Sequence, residues 1–268
     1  MWHRIRLLCP EPVKVALRRA RARFLDPLSR GVEVDISGMR VRVPAYFFGG
    51  GRSGYELASV ERFRAWLSTH PSGLVIDVGC SVSTYGVIAL CSSPTTGVIA
   101  IDPDFASLVW TRYLCSKVQS PERLRLVHGF VIADPARPQD TTAASAAVDE
   151  ELRLRSPSPY GMATRYQDGT DPEAKLVPRH SIDALLDGQE CPGGLLLKVD
   201  VEGNEVGVLK GAARVLSRIR PALLLSVHPQ FGVDTSELRR LLQDEGYTAE
   251  HFATDHEEHW WCSPREIS

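Results

Sequence analysis

Long apolar runs are missing from this chain: no stretch reaches the roughly 20 residues that a helix needs to cross a bilayer. The opening Met-Trp-His-Arg-Ile-Arg-Leu-Leu-Cys-Pro lacks the extended apolar core and small-residue cleavage site of a secretory leader, so a cytoplasmic protein is expected. No Cys-x-x-Cys pair occurs among the six cysteines, and several of them lie inside apolar runs. Reduced, buried thiols are therefore expected rather than a disulfide framework or a zinc site. Net positive charge is also missing. With 31 Lys and Arg against 33 Asp and Glu, the net charge of -2 argues against nucleic-acid binding as the main activity, because neutralising phosphates takes clustered positive charge. What is present, 43% hydrophobic and 24% charged residues over 268 positions, suits one large packed α/β domain with an N-terminal extension.

The extension spans residues 1–54 and the main domain residues 55–268. Val13, Ala16, Leu17, Ala20 and Phe24 recur at helical spacing among Lys14, Arg18, Arg19, Arg21 and Arg23, so a basic amphipathic helix is expected over about 12–28. Its basic side fits either a solvated face or a surface that touches an anionic membrane or an acidic partner. Period-two alternation in Val32–Ile36 and Met39–Val43 around Ser37-Gly38 predicts a β-hairpin. The glycine-rich Phe47–Gly54 segment has no strand feeding it and no Gly-Lys-Ser/Thr after it, so it reads as a loop near the site mouth rather than a phosphate cradle. A helix over Tyr55–Ser68 follows, with Leu57, Val60, Phe63 and Leu67 as its buried stripe.

From Leu74 strands and helices alternate in the rhythm of a doubly wound, mostly parallel sheet. Strands are expected at Leu74–Val78, Gly97–Ile101, Leu124–Val131, Leu195–Val199 and Ala222–Val227, with helices such as Ala106–Lys117 and Val206–Arg218 between them. Tyr247–Phe252 and His259–Cys262 should close the sheet as an antiparallel hairpin. In that hairpin His251, His256, His259 and Cys262 read as exposed turn residues rather than zinc ligands. Residues 134–180, rich in Pro, Ser and Thr, form an irregular insertion suited to a substrate lid.

Three segments carry chemistry. The strand Leu195–Val199 ends in Asp200, Glu202 and Glu205 around Gly203, and open α/β sheets bind their ligands at this edge of the strands. Val75–Gly86 runs from a strand into a small-residue turn, where Gly79 admits close approach and the following helix start offers free N–H groups to a carboxylate. Ser81 and Thr84 stand where a dinucleotide fingerprint would want glycine, which disfavours NAD and FAD. Asp102, followed by Pro103, ends the next strand, where one carboxylate can accept both hydroxyls of a ribose, while Asp104 suits a helix N-cap. His228 ends the Ala222–Val227 strand and should enter the same crevice. Lys198 reads as a structural partner to a neighbouring carboxylate, and Glu205 as either a site residue or a charge complementing a helix N-terminus.

The wording Lys198-Val-Asp-Val-Glu-Gly-Asn-Glu205 through Leu209-Lys-Gly-Ala212 resembles a signature of the FkbM-type S-adenosylmethionine-dependent methyltransferases, and the resemblance extends over roughly Tyr55 to Pro264. It implies a class I methyltransferase (Rossmann-like) α/β fold with S-adenosylmethionine as cofactor. Asp77, Gly79, Ser81 and Ser83 would hold the amino-acid end of the cofactor, Asp102 and Pro103 its ribose, and Gly129, Phe130 and Val131 its adenine. The family turn usually reads Asp-Val-Gly-Ala-Asn-x-Gly, so Ser81 replaces an asparagine and Ser83 a glycine. Ser181-Ile-Asp183 matches a further family stretch and should cap a helix. The implied reaction is O-methylation of a sugar or glycosylated small molecule. His228 or Asp200 would act as general base, with Asp200 and Glu202 positioning the acceptor. Asp200, Glu202 and His228 also suit Mg²⁺ or Mn²⁺, and Tyr160 and Arg165 in the insertion are candidate acceptor contacts. Two rivals remain: a non-catalytic scaffold that kept the fold, motivated by the two serines, and an N-methyltransferase, which needs less base assistance.

Overall fold

The structure, a computed structural model, describes residues 32–36, 39–43, 56–116, 121–133, 177–254 and 257–266. The basic N-terminal helix, the glycine-rich loop, His256, Tyr160, Arg165 and most of the insertion lie outside these residues. The alternating segments β1 (Val32–Ile36) and β2 (Met39–Val43) pair antiparallel, with Ile36 opposite Met39. This hairpin belongs to a compact unit separate from the one that starts at Glu56.

In the larger unit α1 (Leu57–Thr69) buries Val60, Phe63, Trp66 and Leu67. Leu57, expected in that stripe, is 51% exposed. Six residues before Phe63, at 100° per residue, it points about 120° away from the buried face. Next come β3 (Leu74–Val78), α2 (Thr84–Ser92), β4 (Gly97–Asp102), α3 (Phe105–Cys115) and β5 (Leu124–His128). The expected strand Leu124–Val131 is broken. At Gly129 φ is +154°, and a Cβ there would lie 2.5 Å from His180 Cδ2, so the chain leaves the sheet as β6 (Phe130–Val131). β6 pairs in parallel with β7 (Arg179–His180), the far end of the insertion.

α4 (Ile182–Leu185) is capped by Ser181, as expected. β8 (Leu195–Val199) leads to α5 (Glu205–Lys210) and α6 (Ala213–Arg218). The single helix expected over Val206–Arg218 is therefore two. The Asp183 carboxylate accepts from Arg214 N and Val215 N at 3.0 and 2.9 Å, which satisfies the start of α6. β9 (Ala222–Val227), α7 (Thr235–Asp244), β10 (Tyr247–Thr254) and β11 (Glu258–Pro264) complete the unit.

The seven-stranded sheet has the order β10-β11-β9-β8-β3-β4-β5. β11 runs antiparallel to both neighbours and the other six strands share one direction. This order, with one antiparallel strand inserted near its end, is the plan of the class I methyltransferase fold. All five residues of β8 are buried, as a central parallel strand covered on both faces requires. His259 and Cys262, expected in an exposed turn, are buried because β11 lies inside the sheet with β10 outside it. Among the described residues no helix is long and apolar enough to cross a membrane.

From β3 the chain builds outward through β4 and β5, then returns to build the other half from β8. The switch point therefore lies between β3 and β8, where doubly wound sheets open a ligand crevice. Asp200 N donates to Val78 O at 3.0 Å there. Gly79 has φ +74°, and a Cβ on it would lie 1.7 Å from the Asp200 carbonyl oxygen. Gly79→Ala should therefore cost more than about 3 kcal/mol, because strained backbone and a backbone clash coincide. Urea unfolding at the wild-type midpoint would show the contact to be dispensable.

Candidate functional site

The turn after β3 is tied to the end of β4. Gly79 N and Cys80 N donate to Ile101 O at 2.9 and 3.1 Å. Ser81 N donates to Asp102 Oδ2 and Asp104 N to Asp102 Oδ1, each at 2.8 Å. The Asp102 carboxylate thus stands against the turn with a backbone amide on each oxygen. Burial pushes its pKa up to about 8, against the pull of those two amides. Asp77 accepts the Ser83 hydroxyl at 2.7 Å. Burial raises Asp77 to about 6, opposed by Lys198 and the Ser83 hydrogen bond. Asp104 caps α3 by accepting from Ser107 N, as its spacing predicts. Pro103 and Phe130 are half-buried beside this edge.

Across the switch point a buried polar cluster gathers where β8 and β9 end. The fully buried Lys198 Nζ donates to Asp200 Oδ2 at 3.1 Å and to Ser226 Oγ at 2.8 Å. Burial opposes its charge, but Asp200, Glu56, Glu257 and Asp77 together hold the ammonium above the ordinary lysine range. The expected structural role of Lys198 is thus met. His228 lies between carboxylates: Nδ1 is 2.7 Å from Glu205 Oε1, and Nε2 is 2.7 Å from Glu257 Oε2 and 3.6 Å from Asp200 Oδ1. Burial lowers its pKa, yet Glu205 and Glu257 carry it up to about 10. With protons on both ring nitrogens, His228 cannot accept another, which counts against a general-base role for it. Asp200 is different. Its side chain keeps 24% exposure, and burial raises its proton affinity against the opposing pull of Lys198.

Glu202, at φ +49° in the turn after β8, is partly exposed. It belongs to neither group of described residues that could hold a metal ion: Asp200 with His228 and Glu257, or Glu56 with Glu257 and His259, each with its ligand atoms within 4.8 Å of one another. Asp200 and His228 thus meet as expected, but Glu257 takes the place expected of Glu202. Sequence reasoning missed Glu257 and Glu56 entirely. β11 is antiparallel, so it begins where the parallel strands end, and Glu258 pairs with Val227. That register sets Glu257 beside His228. Glu56 is buried before α1 and accepts the Tyr85 hydroxyl. Glu205, left open between two roles, is a fully buried member of the cluster.

A family model, the methyltransferase FkbM domain, matches residues 97–249, more than half of the chain. The chain belongs to the FkbM methyltransferase family. Among solved structures, a methyltransferase FkbM from Methylobacillus flagellatus is similar at 16% identity and a TM-score of 0.46, covering 72% of this chain and 44% of that one. The chain thus spans less than half the length of that relative. A precorrin-6y C5,15-methyltransferase from Geobacter metallireducens is similar at 13% identity and a TM-score of 0.45, covering 80% of this chain and 89% of that one. For a magnesium protoporphyrin IX methyltransferase from Synechocystis with bound S-adenosylhomocysteine the figures are 12% identity and a TM-score of 0.42, covering 81% and 91%. No curated protein matches the chain.

The two serines of the turn after β3 share a backbone feature. Ser81 and Ser83 both adopt the left-handed conformation, at φ +49° and +48°. Glycine and, next to it, asparagine take that conformation at least cost, whereas another L-residue loses roughly 1–2 kcal/mol. Ser83 offsets part of this through its hydrogen bond to Asp77.

Replacing the Lys198 ammonium with an apolar chain strands its buried partners. Lys198→Met should destabilise the fold by about 3–5 kcal/mol in urea titrations; a loss below about 1 kcal/mol would show that the carboxylates do not need it. A second expectation concerns pH. The folded-state pKa of Asp102 lies above its ordinary value, so its contribution to stability is present at low pH and lost as pH rises towards about 8. Asp102→Asn should therefore flatten the fall in melting temperature of the cofactor-free protein between about pH 5 and pH 8, whereas a slope identical to wild type would assign it to other groups.

Proposed function

We propose that this enzyme transfers the methyl group of S-adenosylmethionine to a hydroxyl oxygen of a small-molecule acceptor. The sugar or glycosylated class of acceptor is carried by the family resemblance. The observation that supports an oxygen acceptor is Asp200: a partly exposed carboxylate of raised proton affinity, one residue beyond β8 and hydrogen-bonded through its backbone to the end of β3. Gly79, which opens the cofactor turn, lies against its carbonyl. A hydroxyl must lose a proton as it attacks the sulfonium methyl, and a nearby basic carboxylate can take it.

In this reading Asp77 and the turn through Gly79, Ser81 and Ser83 receive the amino-acid end of the cofactor. Asp102 and Pro103 receive the ribose and Phe130 flanks the adenine. Asp200 accepts the proton, Glu202 helps to position the acceptor, and His228 is a positioning residue that fixes Asp200 and Glu257. The insertion, with Tyr160 and Arg165, serves as the acceptor lid of a catalytic domain that spans residues 55–268.

Calorimetric titration with S-adenosylmethionine tests the cofactor half. Wild type should bind, and Asp102→Ala should abolish binding; full affinity in that variant would remove the ribose assignment. With a hydroxylated sugar that wild type methylates, Asp200→Asn should lower turnover by about 10²-fold or more at unchanged cofactor affinity. Undiminished turnover would remove Asp200 as the base.

A further inference from the structure

We propose that Asp200 Oδ1, His228 Nε2 and Glu257 Oε2 form a binding site for one divalent cation of the Mg²⁺ or Mn²⁺ kind. The three atoms converge from three separate places, the ends of β8 and β9 and the start of β11, with Nε2 at 3.6 Å from Oδ1 and 2.7 Å from Oε2. One imidazole with two carboxylates suits Mn²⁺ and Mg²⁺, and the partial exposure of Asp200 leaves an open side for water or for two oxygens of an acceptor.

Each ligand is also held from behind, as metal ligands characteristically are. Lys198 occupies Asp200 Oδ2, the oxygen turned away from His228. Ser226 hydrogen-bonds the Glu257 carboxylate. Glu205 Oε1 meets His228 Nδ1 and would keep a proton there when a cation displaces the one on Nε2, the carboxylate–histidine arrangement of many metal centres. An independent observation is the second oxygen of Glu205. Glu205 is fully buried, yet its Oε2 accepts no hydrogen bond from any described residue. Buried ionised carboxylates need compensation.

When bound, such a cation lowers the pKa of a coordinated hydroxyl. The site then favours acceptors with two adjacent oxygens, such as vicinal diols. This preference rests on the hydroxyl-acceptor reading; the site itself does not.

The test is a titration of chelator-treated protein with MnCl₂, following loss of the six-line electron paramagnetic resonance signal of free Mn²⁺. One Mn²⁺ should bind per chain, and spin-echo modulation should show a directly bonded nitrogen. His228→Gln should remove that modulation and Glu257→Gln should abolish binding. Glu205→Gln should weaken binding by about 10- to 100-fold, and Glu237→Gln, at the surface pair with Lys210, should change nothing. An unchanged signal with wild type at millimolar Mn²⁺ overturns the proposal, as does binding without nitrogen modulation, a reading on wild type that does not depend on any variant folding. Cofactor affinity, measured separately by calorimetry, separates failure of this site from failure of the methyltransferase reading.

Discussion

One buried ammonium organises this molecule. Lys198 stands in the most enclosed strand of the sheet, where an isolated charge would be prohibitive, and it is tolerated because Asp200 and Ser226 bond it directly while Glu56, Asp77 and Glu257 surround it. It also lies 5.2 Å from the centre of the Tyr85 ring, on the helix that follows the turn after β3. The two ends of the site, the turn after β3 and the acidic cluster after β8, therefore share one counter-charge. Well-packed apolar residues could match or exceed the stability of such a cluster. Its retention makes sense if ionised carboxylates are needed at this edge.

The fold was largely legible because the signals for it are local. Predominantly apolar runs such as Leu-Leu-Leu-Lys-Val and Ala-Leu-Leu-Leu-Ser-Val mark strands covered on both faces. Boundaries failed where the deciding contact was distant in sequence. Gly129 turns out of the sheet against His180, and α6 starts where it does because Asp183 reaches its first amides. The same division runs through the site. Asp77, Asp102, Asp200 and His228 could be found because each lies at or within one residue of a strand end, and strand ends share an edge. Glu257 could not. Its polar surroundings suggest a solvated turn, and only the insertion of an antiparallel strand between β9 and β10 brings it under His228.

The turn after β3 shows a different kind of information. A serine in place of glycine looks like a change of side chain, but at Ser83 the difference lies in the backbone, which keeps the left-handed conformation that glycine would adopt freely. The hydroxyl gained is used at once, on Asp77. Local strain is thus tolerated beside a cluster that depends on fixed geometry, and such strain tends to collect where ligands bind.

The insertion of β11 also bears on the order in which the protein can assemble. β10 is made before β11 yet touches the sheet only through it, so until β11 emerges from the ribosome β9 presents an open edge and β10 has no partner. The turn after β3 and Asp102 belong to the half of the sheet that is synthesised first, whereas Glu257 arrives with the strand that closes it. The edge around Asp102 and the acidic cluster are therefore completed at different stages of synthesis, the first before the second. A chain stopped short of Glu257 would keep the elements of the first and lack the second.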